Sequence, residues 1–201
     1  MSSFDFHTLA QRRRAVAMAV ALTTGTPLAP QRYERYLLAL YQRGLLTLDE
    51  VEDLLQLAVY QVLYYSRATT TPTEADLRAL LEWSRPFNAA HQITGLLLYS
   101  EGRFVQVLEG PEADVRALYQ RIRQDTRHKQ VVTVSQGPGP HRRFADWRMG
   151  FGKVAAPAVD RVLDALQAPT LPEALTVEDP HLQALLDAFG THPLVAELAR
   201  F

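Results

Sequence analysis

Over the first 58 positions the apolar residues recur at helical spacing. Tyr33, Leu37, Leu38 and Tyr41 fall on one face of a segment from Gln31 to Arg43, the period near 3.6 of an amphipathic helix. Gly44 follows at the position where a left-handed residue ends such a helix. Thr47-Leu48-Asp49-Glu50 has the form of a capping box, in which the Glu side chain returns to the amide of the capping Thr. Val51, Leu54, Leu55 and Leu57 line the helix after it. The pattern predicts a helical hairpin over 31–57 whose apolar seam needs something to pack against.

From residue 59 the pattern changes. Val59 to Tyr65 reads as a strand by its Val, Leu and Tyr content. Thr73 to Ser84 reads as a helix, with Thr73 as its cap, Asp76 three residues on, and Leu77, Leu80 and Leu81 inward. Ile93 to Tyr99 is a nearly unbroken apolar run, expected of a central strand, and Phe104 to Leu108 returns from the Ser100-Glu101-Gly102 turn. Pro111 is expected at the first position of a helix carrying Val115, Leu118, Tyr119 and Ile122. Val131 to Ser135 is a strand, Gly137-Pro138-Gly139-Pro140 a loop, and Phe144 to Phe151 a last extended segment. The order β-α-β-β-α-β plus one strand predicts an α+β fold, a ferredoxin-like βαββαβ(β) sandwich with flanking helices and two helices on one sheet face. Helical spacing returns at Ala158–Leu166, His181–Phe189 and Pro193–Arg200. The expected division is a helical N-terminal extension over 1–58, a central domain over 59–151, and a helical C-terminal extension over 152–201.

Composition narrows the chemistry. The 201 residues are 47% hydrophobic and carry a formal charge of −1, which excludes wholesale disorder and argues against a dedicated nucleic-acid binder. That near-neutrality conceals 12 basic against 9 acidic residues over 59–151 and 3 against 7 over 152–201. The chain has no cysteine, so disulfides, CxxC redox centres and Cys-ligated metals are excluded. Arg12, Arg13 and Arg14 before the apolar run Ala15–Leu22 imitate a leader, but the run is short and lacks a small-x-small cleavage site. The expectation is a soluble, cytoplasmic protein with no membrane partner.

The central zone holds five motifs in order: Leu63-Tyr64-Tyr65-Ser66; Asn88 followed by Ile93-Thr94-Gly95-Leu96-Leu97; Phe104-Val105-Gln106-Val107-Leu108-Glu109-Gly110; Asp125-Thr126-Arg127-His128; and Arg143-Phe144-Ala145-Asp146-Trp147-Arg148-Met149. Together they resemble the BLUF family, blue-light sensors that use flavin, over about 59–151. The resemblance implies that Tyr64 is the photoactive tyrosine, Gln106 the switching glutamine and Asn88 a hydrogen-bonding partner of the flavin ring edge. It further implies that Trp147 and Met149 pass the signal outward and that Arg127 and His128 lie near the ribityl and phosphate end. The chain departs from the family at Tyr65, a bulky aromatic at a variable position, and at Phe87, often polar there. FAD as the cofactor follows from the resemblance alone.

The side-chain chemistry is coherent in itself. A buried phenol can give up and regain an electron and a proton without leaving a permanent charge. A primary amide presents an acceptor and a donor on one planar head, so turning or tautomerising Gln106 exchanges them without burying an ion. Leu80, Phe104 and Ile122 are expected to wall the cleft against water. One such exchange is worth about 0.5–1.5 kcal/mol, far short of the ~5.5 kcal/mol that inverts a two-state population, so packing around Trp147 or Met149 must amplify it. Two rival readings are a small acylphosphatase-type enzyme using Arg67 or Arg85 with Asn88, and a flavin-free interaction adaptor. With no effector module visible, the expected output is protein–protein, through a homo-oligomer or a separate effector protein, with the 31–57 hairpin as contact surface.

Overall fold

The structure is a computed structural model and describes residues 8–168 and 177–190. The expected helix Pro193–Arg200 lies outside the described residues. Two compact units are present, one comprising the chain up to residue 58 together with 137–140, the other 59–136 and the chain from 141 onward.

In the first unit α1 (Leu9–Thr23), α2 (Arg32–Gln42) and α3 (Leu48–Gln56) form a three-helix cluster. Val16, Leu37, Tyr41 and Val51 are its buried centre, so the seam of the α2–α3 hairpin closes on α1. The Arg12 guanidinium donates to the carbonyls of Tyr41 (3.2 Å) and Leu46 (2.9 Å). Thr47 and Glu50 form the reciprocal cap foreseen for α3. Gly44 has φ +76°, and a Cβ there would stand 3.0 Å from Leu9 Cδ2, which suits a residue without a side chain. No helix among the described residues is long and apolar enough to cross a membrane.

From residue 59 the chain follows β1 (Val59–Ala68), α4 (Glu74–Ala90), β2 (Thr94–Ser100), β3 (Arg103–Gly110), α5 (Glu112–Gln124), β4 (His128–Gly139), β5 (Gly150–Lys153), α6 (Ala156–Gln167) and α7 (Pro180–Phe189). The sheet order is β4-β1-β3-β2-β5. β3 runs antiparallel to both β1 and β2, whereas β5 adds parallel to β2. This is the ferredoxin-like α+β arrangement with one added strand. Alternation along each strand sends side chains to opposite faces. On one face Tyr60, Val62, Tyr64, Leu97, Phe104 and Leu108 pack with Leu77 of α4 and with Val115, Leu118 and Tyr119 of α5. On the other, Leu63, Leu96, Leu98, Val105 and Val107 pack with α6 and α7 through Val159, Val162, Leu163, Leu182, Leu185 and Leu186.

Four local expectations are corrected. β4 continues through Gly137 to Gly139 instead of yielding to a loop. Pro111 caps α5 from outside and does not open it. α4 runs through Pro86 to Ala90 and does not stop at Ser84. Pro at 86 costs the helix one amide donor, but the extra turn buries Asn88, which tertiary bonds then hold. Most of Phe144–Phe151 is not extended, and only Gly150–Lys153 pairs as a strand. Gly95 explains part of this. Its N–H donates to the Trp147 carbonyl at 2.8 Å, so β2 meets a turn there, while a Cβ on Gly95 would fall 2.0 Å from the Val107 oxygen.

Candidate functional site

The β1–β3 register places Tyr64 directly opposite Gln106, and both point to the face covered by α4 and α5. Tyr64 is fully buried, and its hydroxyl donates to Gln106 Oε1. Burial, reinforced by Tyr119 and Asp125, pushes the phenol far above its ordinary pKa, so Tyr64 stays protonated. Its ring lies 5.0 Å from that of Tyr119, whose hydroxyl shares a 2.6 Å hydrogen bond with Thr133 Oγ1. The Gln106 amide nitrogen in turn donates to the Met149 sulfur at 3.3 Å. Asn88, also buried, donates through Nδ2 to the Arg148 carbonyl at 3.0 Å. Buried Phe104 and partly buried Leu80 and Ile122 belong to the same apolar cluster. Seven of the sequence-derived positions, Tyr64, Leu80, Asn88, Phe104, Gln106, Ile122 and Met149, thus converge between the sheet and its two helices.

The remaining positions divide. The His128 ring packs 5.4 Å from Phe104, and its Nδ1 is 2.8 Å from Ser66 Oγ. Burial lowers the His128 pKa despite the nearby Asp125 charge, which favours a neutral imidazole. Arg127 is exposed and pairs with Asp125 at 2.6 Å. That hydrogen-bonded guanidinium holds the Asp125 carboxyl at about 2. Arg127 therefore stands beside the cluster, not in it. Trp147 and Met149 part company as well. The Trp147 ring sits 5.7 Å from Phe144 and 5.8 Å from His181 of α7, while its backbone carbonyl accepts from Gly95 of β2. Two residues apart on a strand they would have shared a face; the turn at this point sends them to different neighbours. Phe87, where the sequence departs from the family, stacks between Trp83 (5.6 Å) and His91 (4.2 Å) on α4.

Two polar residues drew no role from the sequence. Ser66 is the hydrogen-bond partner of His128, and no local signal marks it. Glu109 is completely buried at the end of β3 and accepts from Gln61 Nε2 and from the amides of Arg143 and Phe144. A lone carboxylate directly after the apolar pair Val107-Leu108 was the available signal.

The donor and acceptor set can be tested against a flavin. Gln106 spends an amide N–H on a thioether, a weak acceptor, so that donor would gain by meeting a carbonyl or ring nitrogen. Asn88, Gln106 and Tyr64 are polar groups set in an apolar wall, the usual make-up of a cofactor site. These residues fit the ring system.

Residues 59–150 match the model of the family BLUF, described as sensors of blue-light using FAD. A photoactivated adenylate cyclase subunit beta from Euglena longa is 45% identical over 87 residues, which are 43% of this chain and 10% of that protein. The corresponding subunit alpha from Euglena gracilis is 45% identical over 81 residues, 40% of this chain and 8% of that protein. The chain thus spans about a tenth of these cyclase relatives, and the likeness covers their sensing segment alone. The solved structure of BlsA in its photo-activated state gives a TM-score of 0.50 at 22% identity, covering 67% of this chain and 96% of that one, a likeness of fold. The likeness to the BLUF family of blue-light sensors thus lies in residues 59–150, just under half of the chain.

Proposed function

We propose that this chain is a photoreceptor that binds FAD and converts blue light into a hydrogen-bond rearrangement at Tyr64 and Gln106, read out by a protein partner or at an oligomer interface. The observation that carries this reading is the buried Tyr64–Gln106–Met149 chain of contacts. When bound, the flavin supplies the light absorption and an excited-state electron acceptor. Tyr64 holds its phenolic proton on the Gln106 carbonyl. Reorienting or tautomerising Gln106 exchanges which end of its amide faces Tyr64 and which faces the ring. Asn88 satisfies a ring-edge donor and acceptor together. Leu80, Phe104 and Ile122 exclude water, and Arg127 and His128 attend the ribityl and phosphate end. Met149 feels the exchange first, because it already accepts from the amide that moves.

An acylphosphatase-like use of Asn88 with Arg85 or Arg67 finds less support. Asn88 is committed to the Arg148 carbonyl, and the Arg85 guanidinium leans on the Met149 carbonyl at 3.4 Å. In this reading the chain is not itself an enzyme. Purified protein should be yellow, release FAD rather than FMN on denaturation, and show a flavin band that shifts reversibly to the red under blue light. Gln106→Leu should abolish that shift. A colourless protein, or a Gln106→Leu variant with a full shift, overturns the proposal.

A further inference from the structure

Residues 141–149 link the two faces of the sheet. Phe144 lies in the core under α6 and α7, and Met149 in the core under α4 and α5. What fastens this segment is Glu109. Three residues beyond Gln106 on β3, it has the opposite parity and so projects to the opposite face. Its neighbours across the ladder are Gln61 on β1 and Thr94 on β2. Its Oε1 accepts from Gln61 Nε2 (2.9 Å) and the Arg143 amide (3.0 Å), and its Oε2 from the Phe144 amide (3.0 Å). The Arg142 guanidinium adds bonds to Thr94 Oγ1 and to the Glu109 carbonyl, both 2.9 Å, and Gln61 Nε2 also reaches the His141 carbonyl at 3.1 Å.

We propose that Glu109 is a positioning residue for the light switch: its carboxylate pins the backbone at 143–144 on one face, and thereby holds Arg148 and Met149 against Asn88 and Gln106 on the other. The optical part of this inference rests on the photoreceptor reading above; the mechanical part does not. The chemistry asks for a carboxylate specifically. Backbone N–H groups and an amide NH₂ converge on its two oxygens, and only an acceptor on both sides satisfies them. A Gln at 109 has the same shape but must turn an NH₂ toward one of those donors. Burial raises the carboxyl's pKa, opposed by the Phe144 and Arg143 amides and the Arg142 charge.

The test compares the flavin-loaded full chain with Glu109→Gln, and with Glu112→Gln as a control that removes an exposed carboxylate three residues on, at the start of α5. Two quantities are read: amide hydrogen exchange at Gly95, whose N–H donates to the Trp147 carbonyl without touching Glu109, and the rate of dark recovery of the flavin band. Glu109→Gln is expected to speed exchange at Gly95 and to change the recovery rate, each by about tenfold, which is ~1.4 kcal/mol; Glu112→Gln should change neither. A lowered melting temperature with unchanged exchange and recovery overturns the proposal. If the wild-type chain shows no light-induced shift, the photoreceptor reading fails and exchange at Gly95 alone decides the positioning role. If Glu109→Gln does not fold, Gln61→Met removes one donor to the carboxylate, and unchanged exchange at Gly95 in that variant is equally fatal.

Discussion

The Tyr64–Gln106 contact lends itself to a double-mutant cycle. Tyr64 is fully buried and its hydroxyl donates to Gln106 Oε1. Gln106→Leu leaves that hydroxyl buried without an acceptor, which costs about 1–3 kcal/mol. Tyr64→Phe leaves the glutamine carbonyl unmet at a comparable cost, while its NH₂ keeps only the Met149 sulfur. Replacing both removes donor and acceptor together and is close to neutral in hydrogen bonding. The coupling energy should therefore be about 1–2 kcal/mol, with the double variant more stable than the sum of the singles implies. For a chain of this size each kcal/mol moves the melting temperature by about 2–4 °C. Urea unfolding followed by tryptophan fluorescence suits the measurement, because both tryptophans, Trp83 and Trp147, belong to the sheet-containing unit. Running the cycle with and without bound flavin separates the contact itself from flavin contacts of either side chain. Additivity to within ~0.5 kcal/mol in the flavin-free protein would show that the two groups do not depend on each other, and the switch built on them would lose its physical basis.

Gly95→Ala should cost more than about 3 kcal/mol, because its Cβ would meet the Val107 carbonyl at 2.0 Å and neither backbone can yield; soluble expression with an unchanged melting temperature would contradict this. His128 is held below its ordinary value of 6.5 by burial. Its contribution to stability is thus complete above pH 6.5 and is lost as the pH falls below it, so wild type should lose stability between pH 7 and 5 relative to His128→Gln, as read by paired thermal melts. The comparison must be paired because the raised pKa of Glu109 gives the opposite slope above 4.5. Asp125→Asn frees Arg127 from its exposed pair; stability should change by less than ~1 kcal/mol, while FAD binding measured by equilibrium dialysis should tighten. Weaker binding would remove Arg127 from the phosphate end.

How much of this was legible follows from the range of the forces involved. Strand parity is local, so the alternation of Tyr64 with Leu63 and of Gln106 with Val107 already implied which side chains share a face, and the βαββαβ order implied that β1 and β3 would be neighbours. The turn of helix beyond Pro86 was not legible, because local preference ends a helix near a proline and what overrides it is Asn88 reaching Arg148, sixty residues away. The same holds for 144–149. Its Trp147 and Met149, two residues apart, look like a strand, yet two of its carbonyls are claimed by Gly95 and Asn88, and its first amide by Glu109. Such long-range polar bonds leave no periodic trace.

Those long-range bonds also bear on how a small signal can grow. The exchange proposed for Gln106 would be worth about 0.5–1.5 kcal/mol, against ~5.5 kcal/mol for a full population inversion. The deficit must be met where one displacement changes many contacts at once. Met149 is nearly inaccessible, touches the moving amide, and adjoins Gly150, the first residue paired with β2. A shift there would act on the β5 edge, and β5 is followed directly by α6, which packs with α7 on the far face. Trp147 ties the same segment to α7 through His181, and a Cβ at Gly150 would lie 2.4 Å from the Trp147 ring. On the proposed mechanism, Gly150 joins the two: it follows Met149 in the chain and lies against the Trp147 ring, and such close packing is stiff enough to carry a sub-ångström change from one face of the sheet to the other.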